Sequence, residues 1–414
     1  MNGYTILIVS FLILVYAVET IADYLNVKNI SNDIPSEFKD LFDGEKYSKS
    51  QKYLKARTKF SLDMSTFFLA AQIVFICFGG FNLVNMFVVS LGFGTVVSGL
   101  LFAGILMFLL EILKIPFSYY SVFTIEEKFG FNRMTRKTFI TDMLKSWLIG
   151  AVIGGAIFAV VIWFFTHFGS FAWLYAFAAV LVFELFITFV YPVTVMPLFN
   201  KFTPLEDGEL KTSVENYAKR ENFKMKGLFK MDNSKRSTKT NAFFTGFGRF
   251  RRIVLFDTLI QKHTVDELTS VLAHEMGHFK LGHILKQMVF SFIVTGFMFF
   301  LLSIFIKAPW LYEAFRMQST PVYAGIIFFG FLYAPISMII GVLTSYFSRR
   351  HEYAADNYAV TTYKKPEAMI DALKKLSVDN LSNLNPHPFK VFLEYSHPPA
   401  LERIAAIRRV GSEE

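Results

Sequence analysis

His274, Glu275 and His278 form the pattern H-E-x-x-H within Val271-Leu272-Ala273-His274-Glu275-Met276-Gly277-His278. On a helix, positions i and i+4 lie on one face, so two imidazoles can grip one metal ion. Glu275 then sits beside the metal, where a polarised water can give it a proton. Zinc suits the task, because it lowers the pKa of bound water to roughly 7. That is the chemistry of peptide-bond hydrolysis.

Catalytic zinc usually takes three protein ligands and keeps one position for water. His283 is one candidate for the third. A three-histidine pattern of the metzincin kind would need glycine at position 281 and histidine at position 284, and Leu281 and Ile284 stand there. Glu352, in His351-Glu352-Tyr353-Ala354-Ala355-Asp356, is the better candidate. Taken singly it reads as a surface glutamate paired with Arg349 or Arg350. The H-E-x-x-H segment turns the reading to a ligand. Asp356 lies one helical turn further along the same face. Its carboxylate can accept the outer N–H of a ligating histidine and fix the tautomer.

The elements that must position these residues belong to a membrane protein. Of 414 residues, 53% are hydrophobic and 18% charged, and Phe occurs 50 times. Soluble chains carry more charge, typically about 25%. Seven apolar stretches approach or exceed the ~18–20 residues that span a bilayer as a helix. They are Tyr4–Ala22, Phe67–Val89, Val96–Leu113, Trp147–Phe165, Phe171–Tyr191, Met288–Ile306 and Val322–Leu343. The third is short, so it is tilted or extends into Lys114–Tyr120. The first has no Lys or Arg in Met1-Asn2-Gly3 and no small-residue cleavage site after it, so it reads as a retained span. Cys77 is the single cysteine, which excludes an intramolecular disulfide. Glu111 and Glu184 fall within spans, where carboxylates are costly and usually face a cavity or a partner.

The formal net charge of +9 maps onto topology. Segment 24–66 carries eight Lys/Arg and 114–146 carries six, whereas 90–95 and 166–170 carry none. Basic loops stay cytoplasmic, which predicts an outside N-terminus and a cytoplasmic active site. No basic cluster is interleaved with base-stacking aromatics, so nucleic acid is not an expected partner. The chain divides into five spans over 1–191, a polar insert over 192–287, two spans over 288–343 and a polar segment over 344–414. Within the insert, 208–221 is helical in pattern. Gly227–Met231, Thr240–Phe244 and Phe250–Phe256 read as a small antiparallel sheet, with turns at Asn233–Lys239 and Gly246–Gly248. Thr264 and Glu267 have capping-box form and open the H-E-x-x-H helix, whose pattern runs toward the sixth span.

The run His274-Glu275-Met276-Gly277-His278-Phe279-Lys280-Leu281-Gly282-His283 resembles the H-E-x-G-H-x-x-L-G-H of the zinc-dependent, integral-membrane CAAX prenyl proteases. The resemblance extends to Ile125–Asn132, Pro197–Pro204, Asn233–Ser237, Asn241-Ala242-Phe243, and His397-Pro398-Pro399 with Arg403. It implies an all-α polytopic membrane protein. About seven transmembrane helices would form a chamber, with a zinc-metalloprotease domain and its small β-sheet on the cytoplasmic side. One Zn²⁺ per chain would be held by His274, His278 and Glu352, with Glu275 as the base. Asn241 and Ala242 would bind substrate backbone as an added strand. His397 and Arg403 would stabilise the tetrahedral intermediate and the substrate carbonyl.

The implied activity is endoproteolysis near the C-terminus of a peptide or protein that carries an isoprenyl group in this family. A monomer in contact with membrane lipid is expected. The C-terminal Gly411-Ser412-Glu413-Glu414 shows no retrieval signal, which fits a bacterial inner membrane as well as an endoplasmic reticulum membrane. Two other readings compete. One is a membrane-protein quality-control metalloprotease of the HtpX type, which has fewer spans. The other is a non-catalytic seven-helix receptor or transporter with structural zinc, which would have no use for Glu275.

Overall fold

The computed structural model describes residues 2–245 and 252–413. The first helices are α1 (Gly3–Lys28), α2 (Gly44–Cys77), α3 (Gly80–Ser90), α4 (Thr95–Tyr120), α5 (Arg136–His167) and α6 (Ala172–Val190). Then come α7 (Glu209–Arg220), α8 (Asp257–Ile260), α9 (Val265–Lys280), α10 (His283–Phe305), α11 (Pro309–Ala314) and α12 (Val322–Tyr363). The chain closes with α13 (Pro366–Asp379), α14 (Pro388–Glu394) and α15 (Ala400–Glu413). Among the described residues, seven of these, α1, α2, α4, α5, α6, α10 and α12, are long and apolar enough to cross a membrane.

The second apolar stretch, expected as one span over 67–89, is divided. α2 ends at Cys77, Gly79 turns with φ +70°, and α3 begins at Gly80. Glycine adopts that left-handed backbone at no steric cost. α2 therefore reaches back to Gly44 through the basic segment expected as a loop. Its polar half is helical because Tyr47 and Tyr53 bury against Phe38, Phe42, Phe129 and Phe131. α3 instead packs against the other end of the molecule, where Phe81 meets Phe315 and Phe328. The third span does extend through Lys114–Tyr120 and passes into a π-turn over Ser121–Glu126.

Neither mid-span carboxylate is among the residues that line the large cavity described below. Glu111 is satisfied locally, by Lys114 Nζ at 2.9 Å and Trp147 Nε1 at 3.1 Å. Glu184 is half-buried on α6, away from that cavity.

The sheet has four strands in the order β1-β2-β4-β3: β1 (Phe202–Pro204), β2 (Gly227–Met231), β3 (Ala242–Thr245) and β4 (Arg252–Phe256). It is mixed where an antiparallel sheet was expected. β3 and β4 pair antiparallel, Ala242 opposite Leu255. β4 then lies between β3 and β2 and runs parallel to β2, Leu228 opposite Ile253. The segment from β2 through β3 is long enough for such a crossover, which a tight hairpin would forbid. The expected turn at Gly246–Gly248 lies outside the described residues. β3 has one strand neighbour among the described residues and forms an edge.

α9 lies on this sheet. Leu268, Leu272, Ala273 and Met276 bury with Val214, Tyr217, Ile253 and Leu255 in one core. The capping box is formed, with Glu267 N donating to Thr264 Oγ1 and Thr264 N to Glu267 Oε2. Continuation of α9 into the sixth span is interrupted. Gly282, at φ +70°, ends one helix and lets α10 start at His283 in a new direction.

Candidate functional site

Two helices carry the centre. α9 presents His274 and His278 from successive turns. α12 has 42 residues, about twice what a bilayer needs, so its last turns project beyond the span as helix. Glu352 and Asp356 sit on that projection. Gly277 sets the approach of the two helices. A Cβ added there would stand 3.2 Å from the Ala355 backbone and 3.1 Å from the Tyr358 ring. The glycine inside H-E-M-G-H thus lets α12 come close enough for Glu352 to reach both histidines.

The three side chains converge. His274 Nε2 and His278 Nε2 are 3.1 Å apart. Glu352 Oε1 is 3.1 Å from His278 Nε2, and Glu352 Oε2 is 3.5 Å from His274 Nε2. Bonds of ~2.0–2.1 Å to a tetrahedral ion put its ligand atoms roughly 3.3–3.4 Å apart. The spacing matches. Glu352 Oε2 is buried and forms no well-aligned hydrogen bond among the described residues, its nearest cationic neighbour being Arg403 Nη1 at 3.2 Å. A buried carboxylate whose two oxygens face His278 Nε2 and His274 Nε2 is an arrangement a cation satisfies. The donor set, two imidazoles and one carboxylate, therefore fits a divalent metal.

A second layer holds these groups in place. Asp356 Oδ1 lies 2.8 Å from His274 Nδ1, on the ring edge opposite the convergence point. His283 Nδ1 lies 3.1 Å from His278 Nδ1, and its ring stacks on His351 at 4.0 Å. Burial works against a charged His274. Even so, the neighbouring Asp356 and Glu352 carboxylates push its pKa up to about 9. The pocket favours positive charge.

Arg403, from α15, is buried against the two α12 carboxylates. Its Nε is 2.8 Å from Asp356 Oδ2, its Nη2 2.6 Å from Asp356 Oδ1, and its Nη1 3.2 Å from Glu352 Oε2. The guanidinium expected at a substrate carbonyl is thus committed to Asp356 and Glu352, because a buried cation must be paired. His397 is open to the cavity, with Nε2 3.4 Å from Glu352 Oε1 and Nδ1 2.9 Å from Ser396 Oγ. Burial pushes the Glu275 carboxyl up, with His274 and His278 pulling against it.

His274, Glu275, Glu352 and His397 line one cavity of about 1280 Å³, and so do Asn241 and Ala242. Its far wall belongs to α1 and α2. Asn241 carries the start of β3: its carbonyl accepts from Phe256 N at 3.1 Å and its Oδ1 from Ala242 N at 2.9 Å. Asn380 brackets the preceding residue, bonding both Thr240 N and Thr240 O at 3.1 Å. The structure brings every site residue read from the sequence to one place. His283, whose place the sequence left open, lies against His278. Helical spacing from His278 could not locate it, because the helix breaks at Gly282.

Comparison with known proteins follows the same lines. Residues 23–201 match the model of the CAAX prenyl protease N-terminal region with five membrane helices, and residues 204–410 match peptidase family M48. CAAX prenyl protease 1 of Saccharomyces cerevisiae is 36% identical, over 99% of this chain and 96% of that protein. The Homo sapiens homolog is 30% identical, over 91% of this chain and 88% of that protein. The crystal structure of S. mikatae Ste24p superposes with a TM-score of 0.93 at 35% identity, covering 98% of this chain and 99% of that one.

Proposed function

We propose, because this chain belongs to the CAAX prenyl proteases of peptidase family M48, that it cuts isoprenylated proteins near their C-terminus inside a membrane chamber. The chain is a multi-pass membrane metalloendopeptidase. The observation that carries the substrate reading is the shared cavity: the His274–His278–Glu352 centre, Glu275 and the edge of β3 face one space of about 1280 Å³. A cavity of that size admits an extended peptide together with an apolar chain.

His274, His278 and Glu352 would hold one zinc ion, which would supply Lewis acidity toward a water and a carbonyl. The chain's own residues do the rest. Substrate backbone pairs with β3 at Asn241 and Ala242 as an added strand, which fixes the scissile bond above Glu275. Glu275 takes the proton of the attacking water and returns it to the leaving amine. His397 donates to the carbonyl oxygen as negative charge grows there. Asp356 holds the tautomer of His274, and His283 does the same for His278. Arg403 keeps Glu352 and Asp356 ionised and in register.

Basic segments 24–66 and 114–146 support a cytoplasmic face for the site and an outside N-terminus. The relatives compared are eukaryotic, which supports an endoplasmic reticulum membrane over a bacterial one. Seven spans and the matched five-helix N-terminal region disfavour the quality-control reading. Nothing in the site needs a second copy of the chain, which supports a monomer.

Glu275→Gln tests the proposal against a farnesylated C-terminal peptide, with cleavage followed by mass spectrometry. The variant should bind metal as the wild type does and lose roughly 10²–10⁴-fold in turnover, the usual contribution of a general base. Near-normal cleavage at full metal content would sink the mechanism.

A further inference from the structure

Among the described residues, the chamber wall holds four cationic side chains: Arg57, Lys239, Lys390 and Arg403. Three are neutralised. Lys390 lies 2.6 Å from both Asp23 and Glu394. Arg403 is committed to Asp356 and Glu352. Lys239 lies 2.8 Å from Glu126 Oε2. Arg57 is exposed to the cavity and has no carboxylate within ion-pair distance among the described residues.

Its seat is built. The guanidinium lies over the Tyr53 ring, 5.6 Å from the centroid. That ring is buried against Phe129 and Phe131, each 5.0 Å away. The Tyr53 hydroxyl donates to Glu126 Oε1 at 2.6 Å and accepts from Lys239 Nζ at 2.9 Å. The fixed ring orients the guanidinium, which also lies within polar reach of the Tyr53 hydroxyl but meets no carboxylate among the described residues. Another part of the wall is acidic, with Glu19 and Asp23 of α1 and Glu394 of α14 against the single Lys390. An anion in this space is repelled from that side and finds an unpaired partner at Arg57.

The position along the site is also set. Lys239, which touches Tyr53 directly, is three residues before Ala242 on the chain that becomes β3. A peptide paired with β3 at Asn241 and Ala242 is led toward the corner of the same cavity where Lys239 and Tyr53 meet.

We propose that Arg57, stacked on Tyr53 beside Lys239, binds the free C-terminal carboxylate of the peptide being cut. This rests on the proposed C-terminal cleavage and adds what measures it: the enzyme would count residues from the chain end. Arginine presents the planar fork that a carboxylate accepts in bidentate fashion.

The test uses the full-length, zinc-loaded enzyme and two farnesylated peptides, identical except for a C-terminal carboxylate or carboxamide. The wild type should favour the acid by about 10- to 100-fold in kcat/KM, the range of one charge-assisted hydrogen bond. Arg57→Gln should bring the acid-to-amide ratio to within about threefold of one, and Arg57→Lys should restore part of it. Metal content and melting temperature report whether each variant is folded. A wild type that cuts both peptides equally would overturn the carboxylate assignment and leave the proposed activity standing. So would an Arg57→Gln enzyme that keeps the full preference. A zinc-loaded wild type that cuts neither peptide would overturn the proposed activity, and this assignment with it.

Discussion

Asp356 Oδ1 stands 2.8 Å from His274 Nδ1, on the side of the imidazole that faces away from His278 and Glu352. The contact orients Nδ1–H of His274 toward Asp356 and turns Nε2 toward Glu352 and His278, where it would serve as the metal-facing nitrogen. Asp356→Ala is therefore expected to weaken zinc binding by about 10–100-fold without abolishing it. Glu352→Ala, which removes a proposed ligand, should lose most of the metal. Zinc titration of the two purified variants checks the order, and wild-type affinity in Asp356→Ala would remove that residue from the site.

His397 reaches the cavity beside Glu352 but lies outside the converging trio. Its expected contribution is to the transition state. His397→Ala should lower kcat on the order of 10²–10³-fold, as the loss of one oxyanion donor does, while KM changes little. An unchanged kcat with a raised KM would show that His397 only holds substrate.

Gly277 has no chemistry, yet metal binding should depend on it. The contact of 3.2 Å to the Ala355 backbone leaves Gly277→Ala needing a shift of a few tenths of an ångström. Gly277→Val, with two further methyl groups, should push α12 away and lose zinc more completely than Gly277→Ala. Metal content after dialysis reads the effect. Full occupancy in Gly277→Val would show that the two helices do not need this approach.

His263, just before α9, is buried, with Nδ1 3.2 Å from Leu259 O and Nε2 unpartnered. Burial holds its pKa below the usual value of 6.5, against the pull of Glu267 and Asp379 and with Lys375 reinforcing it. The folded protein thus favours neutral His263. Its stabilising contribution is complete above about pH 6.5 and declines as pH falls from there toward the lowered folded pKa, because the unfolded chain takes the proton first. Thermal unfolding in detergent at pH 7.5, 6.5 and 5.5 should show a shallower loss for His263→Leu than for the wild type. Identical slopes would mean that His263 is free to protonate in the folded state.

The sequence by itself determined the parts that local spacing controls. The i, i+4 relation placed His274 and His278 on one face, and Glu352 and Asp356 on another, because a helix repeats that way whatever surrounds it. Apolar length fixed seven crossings, and Thr264 with Glu267 marked where α9 starts. Where a backbone break intervened, local reading failed. Gly79 divided an apolar run into two helices, and Gly282 turned α10 away from α9, since a single positive φ redirects everything after it. Long-range relations were decided by tertiary structure alone. The β2–β4 pairing is parallel because β3 takes the edge position and β4, antiparallel to it, inserts between β3 and β2. Glu352 meets the histidines because Gly277 has no side chain. Arg403 faces Asp356 because α15 buries it there. Arg57 has no carboxylate within ion-pair distance among the described residues because Glu126, the acid beside Tyr53, is held by Lys239 and the Tyr53 hydroxyl, an arrangement that exists only once the helices stand together.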